Sequence, residues 1–169
     1  MIFLKNIIGM PIVSLQDKTT LGEINNILYK NINEKIIGIL IDEEGFLKNP
    51  KIIYNDDIID INKKIFIRNS ESIFDIDKSK ALLDIINGKY NILDKDVYDL
   101  KNNFYGKVYD LILDEKMRTI NYIEISKGFL TDLMNGLKLI KTKDLDIIED
   151  KIILRNPTFF TRGGIKNLL

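Results

Sequence analysis

Gly22-Glu23-Ile24-Asn25-Asn26-Ile27-Leu28 returns as Gly106-Lys107-Val108-Tyr109-Asp110-Leu111-Ile112, an offset of 106 − 22 = 84. Ile36 to Ile41 falls on Ile120 to Ile125 at the same offset, and Gly45-Phe46-Leu47 falls on Gly128-Phe129-Leu130 at 83. Asp57-Ile58 with Ile61 and Ile65 then falls on Asp144-Leu145 with Ile148 and Ile152, at 87. The jump from 83 to 87 places a short insertion in the second copy, among Thr131 to Gly136. Solenoid units recur every ~20–50 residues, so a period this long reads as two copies of one small domain.

The apolar runs inside each copy are short and rich in Ile, and turn residues bound them. Branched side chains in such runs suit a pleated, half-buried surface. In the second copy Tyr122 and Glu124 alternate with Ile123 and Ile125, the period of a strand with one wet face. Asp42-Glu43-Glu44-Gly45 reads as a hairpin turn, Gly45 being free to take positive φ. Many short strands with closely spaced turns predict an all-β chain. The expected domains are residues 1–69 and 91–155, joined by a connector over 70–90 and followed by a tail over 156–169. Within the connector, Leu82, Ile85 and Ile86 stand at helical spacing, Ser79 can cap and Gly88 can stop the helix. In the tail, Pro157 breaks any strand continuation, and the stretch from Arg155 to Leu169 holds no acid.

Composition excludes several chemistries. Lys plus Arg and Asp plus Glu each number 25, so no basic excess draws the whole molecule to nucleic acid. Without Cys there is no disulfide, thiolate metal site or cysteine nucleophile. Without His there is no Ser-His-Asp triad, no HExxH site and no imidazole general base. The start, Met1-Ile2-Phe3-Leu4-Lys5, lacks the pattern of a secretory signal, and no run nears the ~20 apolar residues of a membrane helix. The expected location is the cytoplasm, with no integral membrane segment.

The shared pattern resembles the PRC-barrel family. The first copy supplies Met10-Pro11-Ile12-Val13, Gly22-Glu23-Ile24, Lys35-Ile36-Ile37-Gly38-Ile39, Tyr54 to Ile58 and Lys64-Ile65-Phe66-Ile67. The second supplies Asp96-Val97-Tyr98-Asp99, Gly106-Lys107-Val108-Tyr109-Asp110, Ile120 to Ile125, Asp144-Leu145 and Lys151 to Leu154. Two departures are that Tyr54-Asn55 lacks the proline often found before the Asp turn, and that Gly38 becomes Tyr122. The resemblance implies two small all-β barrels in tandem, with a short connecting helix and a C-terminal tail. It also implies use mainly for docking, as in the reaction-centre H subunit or the protein-binding domain of a ribosomal-RNA maturation factor. No catalytic residue set and no cofactor come with it.

The candidate residues have mostly structural readings. Asp42-Glu43-Glu44, Asp56-Asp57 and Glu149-Asp150 read as solvated turns, and Asp17 to Gly22 fails the alternating ligand pattern of a calcium loop. Asp57 and Asp144 recur as turn or helix caps, and Gly22 and Gly106 recur where each precedes a strand. Tyr29, Tyr54, Tyr98, Tyr105, Tyr109 and Tyr122 could stack bases on a basic face, but their strand positions favour packing. Phe159, Phe160 and Arg162 are residue types enriched at interfaces and leave two readings of the tail open, a partner contact or phenyl rings folded back onto the barrel. Arg162-Gly163-Gly164 alone is too short for an RNA-binding tract.

The expectation is a non-enzymatic adaptor that binds a protein partner through barrel faces or strand edges. Its two surfaces would have diverged at Glu23 against Lys107 and at Leu40 against Glu124. The alternatives are a ribosome- or RNA-associated maturation factor and a carboxylate-based metal-binding protein or metalloenzyme. A membrane-peripheral role ranks last. Exposed strand edges could equally pair two chains into a homodimer.

Overall fold

A computed structural model of the protein describes residues 1–42, 50–76, 80–148, 150–156 and 158–164. The chain divides into two compact units. Unit 1 is Met1–Asn91 with Leu113–Thr119, and unit 2 is Ile92–Ile112 with Ile120–Leu169.

Unit 1 begins with β1 (Ile2–Phe3) and the single turn α1 (Leu4–Ile7). Its strands continue as β2 (Pro11–Ser14), β3 (Thr20–Leu28), β4 (Gly38–Asp42), β5 (Pro50–Tyr54), β6 (Ile58–Ile61), β7 (Ile65–Ile67) and β8 (Phe74–Asp75), before α2 (Lys80–Ile86). Unit 2 contains β9 (Asp96–Asp99), β10 (Phe104–Leu113, of which Leu113 belongs to unit 1), β11 (Ile120–Ser126), α3 (Phe129–Asn135), β12 (Leu137–Lys141), β13 (Leu145–Ile148), β14 (Lys151–Leu154) and β15 (Phe160–Arg162).

The strands of unit 1 lie in the order β6-β7-β2-β3-β4-β5-β8, and those of unit 2 in the order β13-β14-β9-β10-β11-β12-β15. Strand for strand these are the same sheet. Registers agree as well: the parallel pair β2–β7 sets Ile12 beside Ile65, and β9–β14 sets Val97 beside Ile152. Both orders run open from end to end, so the expected pair of closed barrels reduces to two open sheets in a mostly β chain with a few short helices.

Alternation explains the interior. Ile12, Ile24, Ile39, Ile41, Ile53, Ile65 and Ile67 are buried in unit 1, as are Val97, Val108, Ile123, Ile125, Ile140, Ile152 and Leu154 in unit 2. The helix over Lys80–Ile86 forms as the spacing predicts, laying Leu82, Ile85 and Ile86 against Leu28, Leu40 and Ile52. Gly88, at φ 79°, ends it, its N–H donating to the Ile85 carbonyl. The proposed cap Ser79, the hairpin turn at Glu43 to Gly45, Glu149 and Pro157 lie outside the described residues.

Three features depart from the sequence reading. The insertion in the second copy, among Thr131 to Gly136, falls within and just after the helix α3, where the sequence reading placed no element. Phe74–Asp75 and Phe160–Arg162 each add a strand, Phe74 pairing with Ile52 and Phe160 with Leu139. The tail therefore supplies the counterpart of β8. Finally, Glu124 is not on a wet face: it is 0% exposed, and Leu40 is buried too. That pair of positions diverges inside the fold, whereas Glu23 and Lys107 are both exposed.

Gly22 and Gly106 do not precede a strand as expected but lie inside β3 and β10 at the same place, opposite Ile12 and Val97 beside a register shift, with φ of 143° and 129°. Only at Gly106 would a Cβ meet backbone, 2.2 Å from the Ser126 carbonyl oxygen; at Gly22 nothing lies within 4 Å. Left-handed strain costs roughly 1–3 kcal/mol at either position. Gly106→Ala is therefore expected to destabilise more than Gly22→Ala, by the added overlap. Urea unfolding of the two variants checks this, and equal losses would show that the close approach does not matter.

Candidate interaction surface

Two surfaces of unit 2 gather chemistry. The first is built around α3. Gly128, at φ 105°, turns the chain out of β11, and Ser126 and Asp132 fix the entry. The Ser126 hydroxyl donates to the Asp132 carboxylate, the Lys127 N–H donates to Asp132 Oδ1 at 3.0 Å, and the Gly128 N–H donates to Ser126 Oγ at 3.1 Å. The helix so anchored buries none of its residues. Phe129 is 79% exposed, Leu130 75%, Leu133 47% and Met134 44%.

Beside α3 opens a groove of about 560 Å³, lined by Tyr109, Phe129, Leu133, Leu137 and Arg162 among others. Gly136 and Gly163-Gly164 close one end, backbone against backbone. A Cβ on Gly164 would sit 2.3 Å from the Gly136 nitrogen, and one on Gly136 would sit 2.4 Å from the Gly163 oxygen. Close approach thus accounts for Gly136 and Gly164, whereas Gly163 meets nothing within 4 Å and takes a φ of 72°.

Arg162 reaches from β15 to Glu124 on β11 with two hydrogen bonds, Nε to Oε1 at 2.7 Å and Nη2 to Oε2 at 2.9 Å. The carboxylate is enclosed, while the guanidinium side chain keeps 49% of its surface exposed to the groove side. Hydrogen bonding to Glu124 raises the Arg162 pKa further, so the cation is permanent. Asp110, also buried, adds a second negative charge nearby. At the matching places in unit 1 stand Leu40 and Ile76, which are apolar.

The second surface is aromatic and basic. Phe159 stacks on Tyr105 with ring centroids 5.2 Å apart, and Lys138 Nζ lies 4.6 Å from the Phe159 centroid. Lys127 Nζ lies 5.7 Å from the Tyr105 centroid. Burial, and then the like charge of Lys127, hold the Lys138 ammonium below its ordinary pKa. Phe160 faces the other side of β15, edge-on to Tyr122 at 6.4 Å with Lys141 over its ring. The three tail residues marked in the sequence are therefore divided between the two faces of one edge strand.

Asp57 and Asp144 end matching 3-10 turns, Asn55–Asp57 and Thr142–Asp144, and neither turn has a side-chain cap bond. Asp57 Oδ1 instead accepts from the Ser72 hydroxyl at 3.4 Å. Among the described residues no group of three or more acidic side chains could hold a metal ion, and no helix is long and apolar enough to cross a membrane.

The β9–β10 turn carries a pH dependence. Asp99 accepts from the Asn103 side chain at 2.8 Å, from the N–H groups of Asn103 and Lys101 at 2.8 Å each, and from the Tyr105 hydroxyl at 3.3 Å. The Asn103 side chain first, then its N–H, hold the Asp99 carboxyl below the usual carboxylate range. A depressed carboxyl stabilises the fold above its unfolded pKa of about 3.9, and that contribution disappears as pH falls through the folded value. Asp99→Asn is expected to flatten the loss of stability below about pH 4. Urea midpoints between neutral and acid pH measure it, and parallel curves for both proteins would sink the assignment.

The PRC-barrel domain family matches residues 86–159, a stretch containing β9 to β14. No curated protein matches the chain.

Proposed function

We propose that the protein is a non-catalytic, cytoplasmic adaptor made of two PRC-barrel-type domains in tandem, and that unit 2 carries its partner surface. Residues 1–85, the greater part of unit 1, lie outside the family match. The strand order and registers of unit 1 repeat those of unit 2, which supports reading it as a second domain of the same type. The observation that carries the docking role is α3, which displays four large apolar side chains to solvent. A contiguous exposed apolar patch on a soluble domain marks an interaction site, and aromatic anchors dominate such contacts.

The test is affinity capture from the native cell, with and without nuclease, comparing wild type with Phe129→Asp. A protein partner retained after nuclease and lost with Phe129→Asp is expected. Recovery unchanged by the substitution would remove α3 from the contact. Sedimentation across a concentration range separates a foreign partner from self-pairing through strand edges.

One observation favours the RNA-associated reading as the second choice: Tyr105, Phe159, Lys127 and Lys138 place stacked rings among ammonium groups. Single-stranded nucleic acid uses that combination, and its binding weakens steeply with salt. Lys138→Glu would then reduce RNA retention and its salt slope together in a filter-binding assay. RNA retention that ignores both salt and Lys138 would discard this reading.

A further inference from the structure

We propose that the groove beside α3 seats an amphipathic α-helix of a partner protein, one that lays an apolar stripe into it. This rests on the adaptor reading and names the class of partner. Unit 1 already holds such a helix on the corresponding sheet face. There α2 covers Leu28, Leu40 and Ile52 with Leu82, Ile85 and Ile86, which stand three and four residues apart and so share one stripe.

Unit 2 has the same strand order, so Glu124, Leu139 and Arg162 stand where unit 1 has Leu40, Ile52 and Ile76. The groove opens on that same face. Ser126 lies two residues beyond Glu124 on β11, Leu137 two before Leu139 on β12, and Arg162 opposite Leu137. Strand alternation puts residues two apart on one face. The helix α3 forms a wall of this groove, Phe129 and Leu133 lining it. An apolar trough between a sheet and a helix wall suits helix-in-groove recognition, read by side chains at i, i+3 and i+4. Arg162 is already held by Glu124, and Asp132 also lines the groove, so the apolar stripe rather than a charge pairing carries the contact.

A competing occupant exists in the chain itself. Lys166-Asn167-Leu168-Leu169 repeats Lys80-Ala81-Leu82-Leu83 at the offset that relates Phe74 to Phe160. The probe is a synthetic peptide with the sequence of residues 78–89, which contains the α2 stripe. It is titrated into the isotope-labelled full chain and into a chain shortened after Gly164, while amide shifts are followed. Saturable shifts at Tyr109, Leu133, Leu137 and Arg162 in the full chain are expected, weakened about tenfold or more by Leu133→Asp. A peptide with Asp at the Leu82 and Ile85 positions should leave the spectrum unchanged.

Leu133 is exposed, so its variant is expected to keep the wild-type melting curve. Phe129→Asp serves as the second variant if it does not. Binding to the shortened chain only would make the chain's own last residues the occupant and overturn the partner helix. Shifts in neither chain would overturn the helix seat. In that case capture that still depends on Phe129 leaves the adaptor reading standing, and capture that does not removes both.

Discussion

Arg162→Ala is expected to destabilise unit 2 by about 3 kcal/mol, the lower end of what breaking a buried ion pair costs. The size follows from asymmetric burial. Glu124 is fully enclosed, while the Arg162 side chain retains half of its exposure. Removing the cation leaves a bare carboxylate inside the sheet, with the Asp110 carboxylate also buried nearby. Removing the acid instead leaves a guanidinium that can turn to water. Glu124→Leu should therefore cost clearly less than Arg162→Ala. Unit 1 supplies the reference composition for the double replacement. Glu124→Leu with Arg162→Ile recreates Leu40 and Ile76, and apolar replacement of a whole buried pair is often neutral or stabilising by about 1–4 kcal/mol.

Hydrogen exchange at the β12 and β15 amides reads the effect within unit 2, where a global melt would mix the two units. If Arg162→Ala proves no worse than Glu124→Leu, the enclosed carboxylate is not the source of the cost. The double variant has a second use. If the pair exists to aim Arg162 at a partner, stability will recover while partner capture does not.

Most of the sheet architecture was legible because it was written twice. The offset of 84 aligns β3 with β10, and that of 87 aligns β6 and β7 with β13 and β14. Each also aligns the turn glycines or aspartates between them. What stayed hidden had physical reasons. β8 and β15 are two and three residues long, too short for alternation to be visible, and only the recurrence of Phe74 at Phe160 marks them. Glu124 looked solvent-facing because period two cannot say which face is wet when both are covered, and its partner lay 38 residues away in the tail. The apolar residues of α3, Phe129, Leu130, Leu133 and Met134, do stand at helical spacing, but the sequence does not show that their stripe faces solvent. Of the candidate surface, Phe159, Phe160 and Arg162 were marked by residue type and Tyr109 only as one of six tyrosines, whereas Phe129 and Leu133 were not. They differ from core residues only in exposure, and a sequence does not display exposure.

Met117→Ala is expected to cost unit 1 about 2–5 kcal/mol, although Met117 lies in the repeat of the other copy. Residues 113–119, between β10 and β11, complete unit 1, and Met117 is 0% exposed within it. Asp114 preforms the turn: its carboxylate accepts from the N–H groups of Arg118 at 2.6 Å and Thr119 at 2.7 Å. The turn is then tied to the strands of unit 1. Asn55 Nδ2 donates to the Met117 carbonyl at 2.6 Å, the Ile36 N–H donates to the Arg118 carbonyl at 2.8 Å, and Lys35 bridges to Thr119. Truncating the thioether leaves a cavity that these bonds prevent from collapsing, so the cost should sit well above that of Met134→Ala on exposed α3. Exchange protection of the β4 and β5 amides is the readout. A fragment of residues 1–91 lacks the plug altogether and is already near the size where folding is marginal. It should melt well below unit 1 in the full chain. If Met117→Ala matches Met134→Ala and the fragment keeps full protection, unit 1 is self-sufficient, and residues 113–119 are only a surface turn.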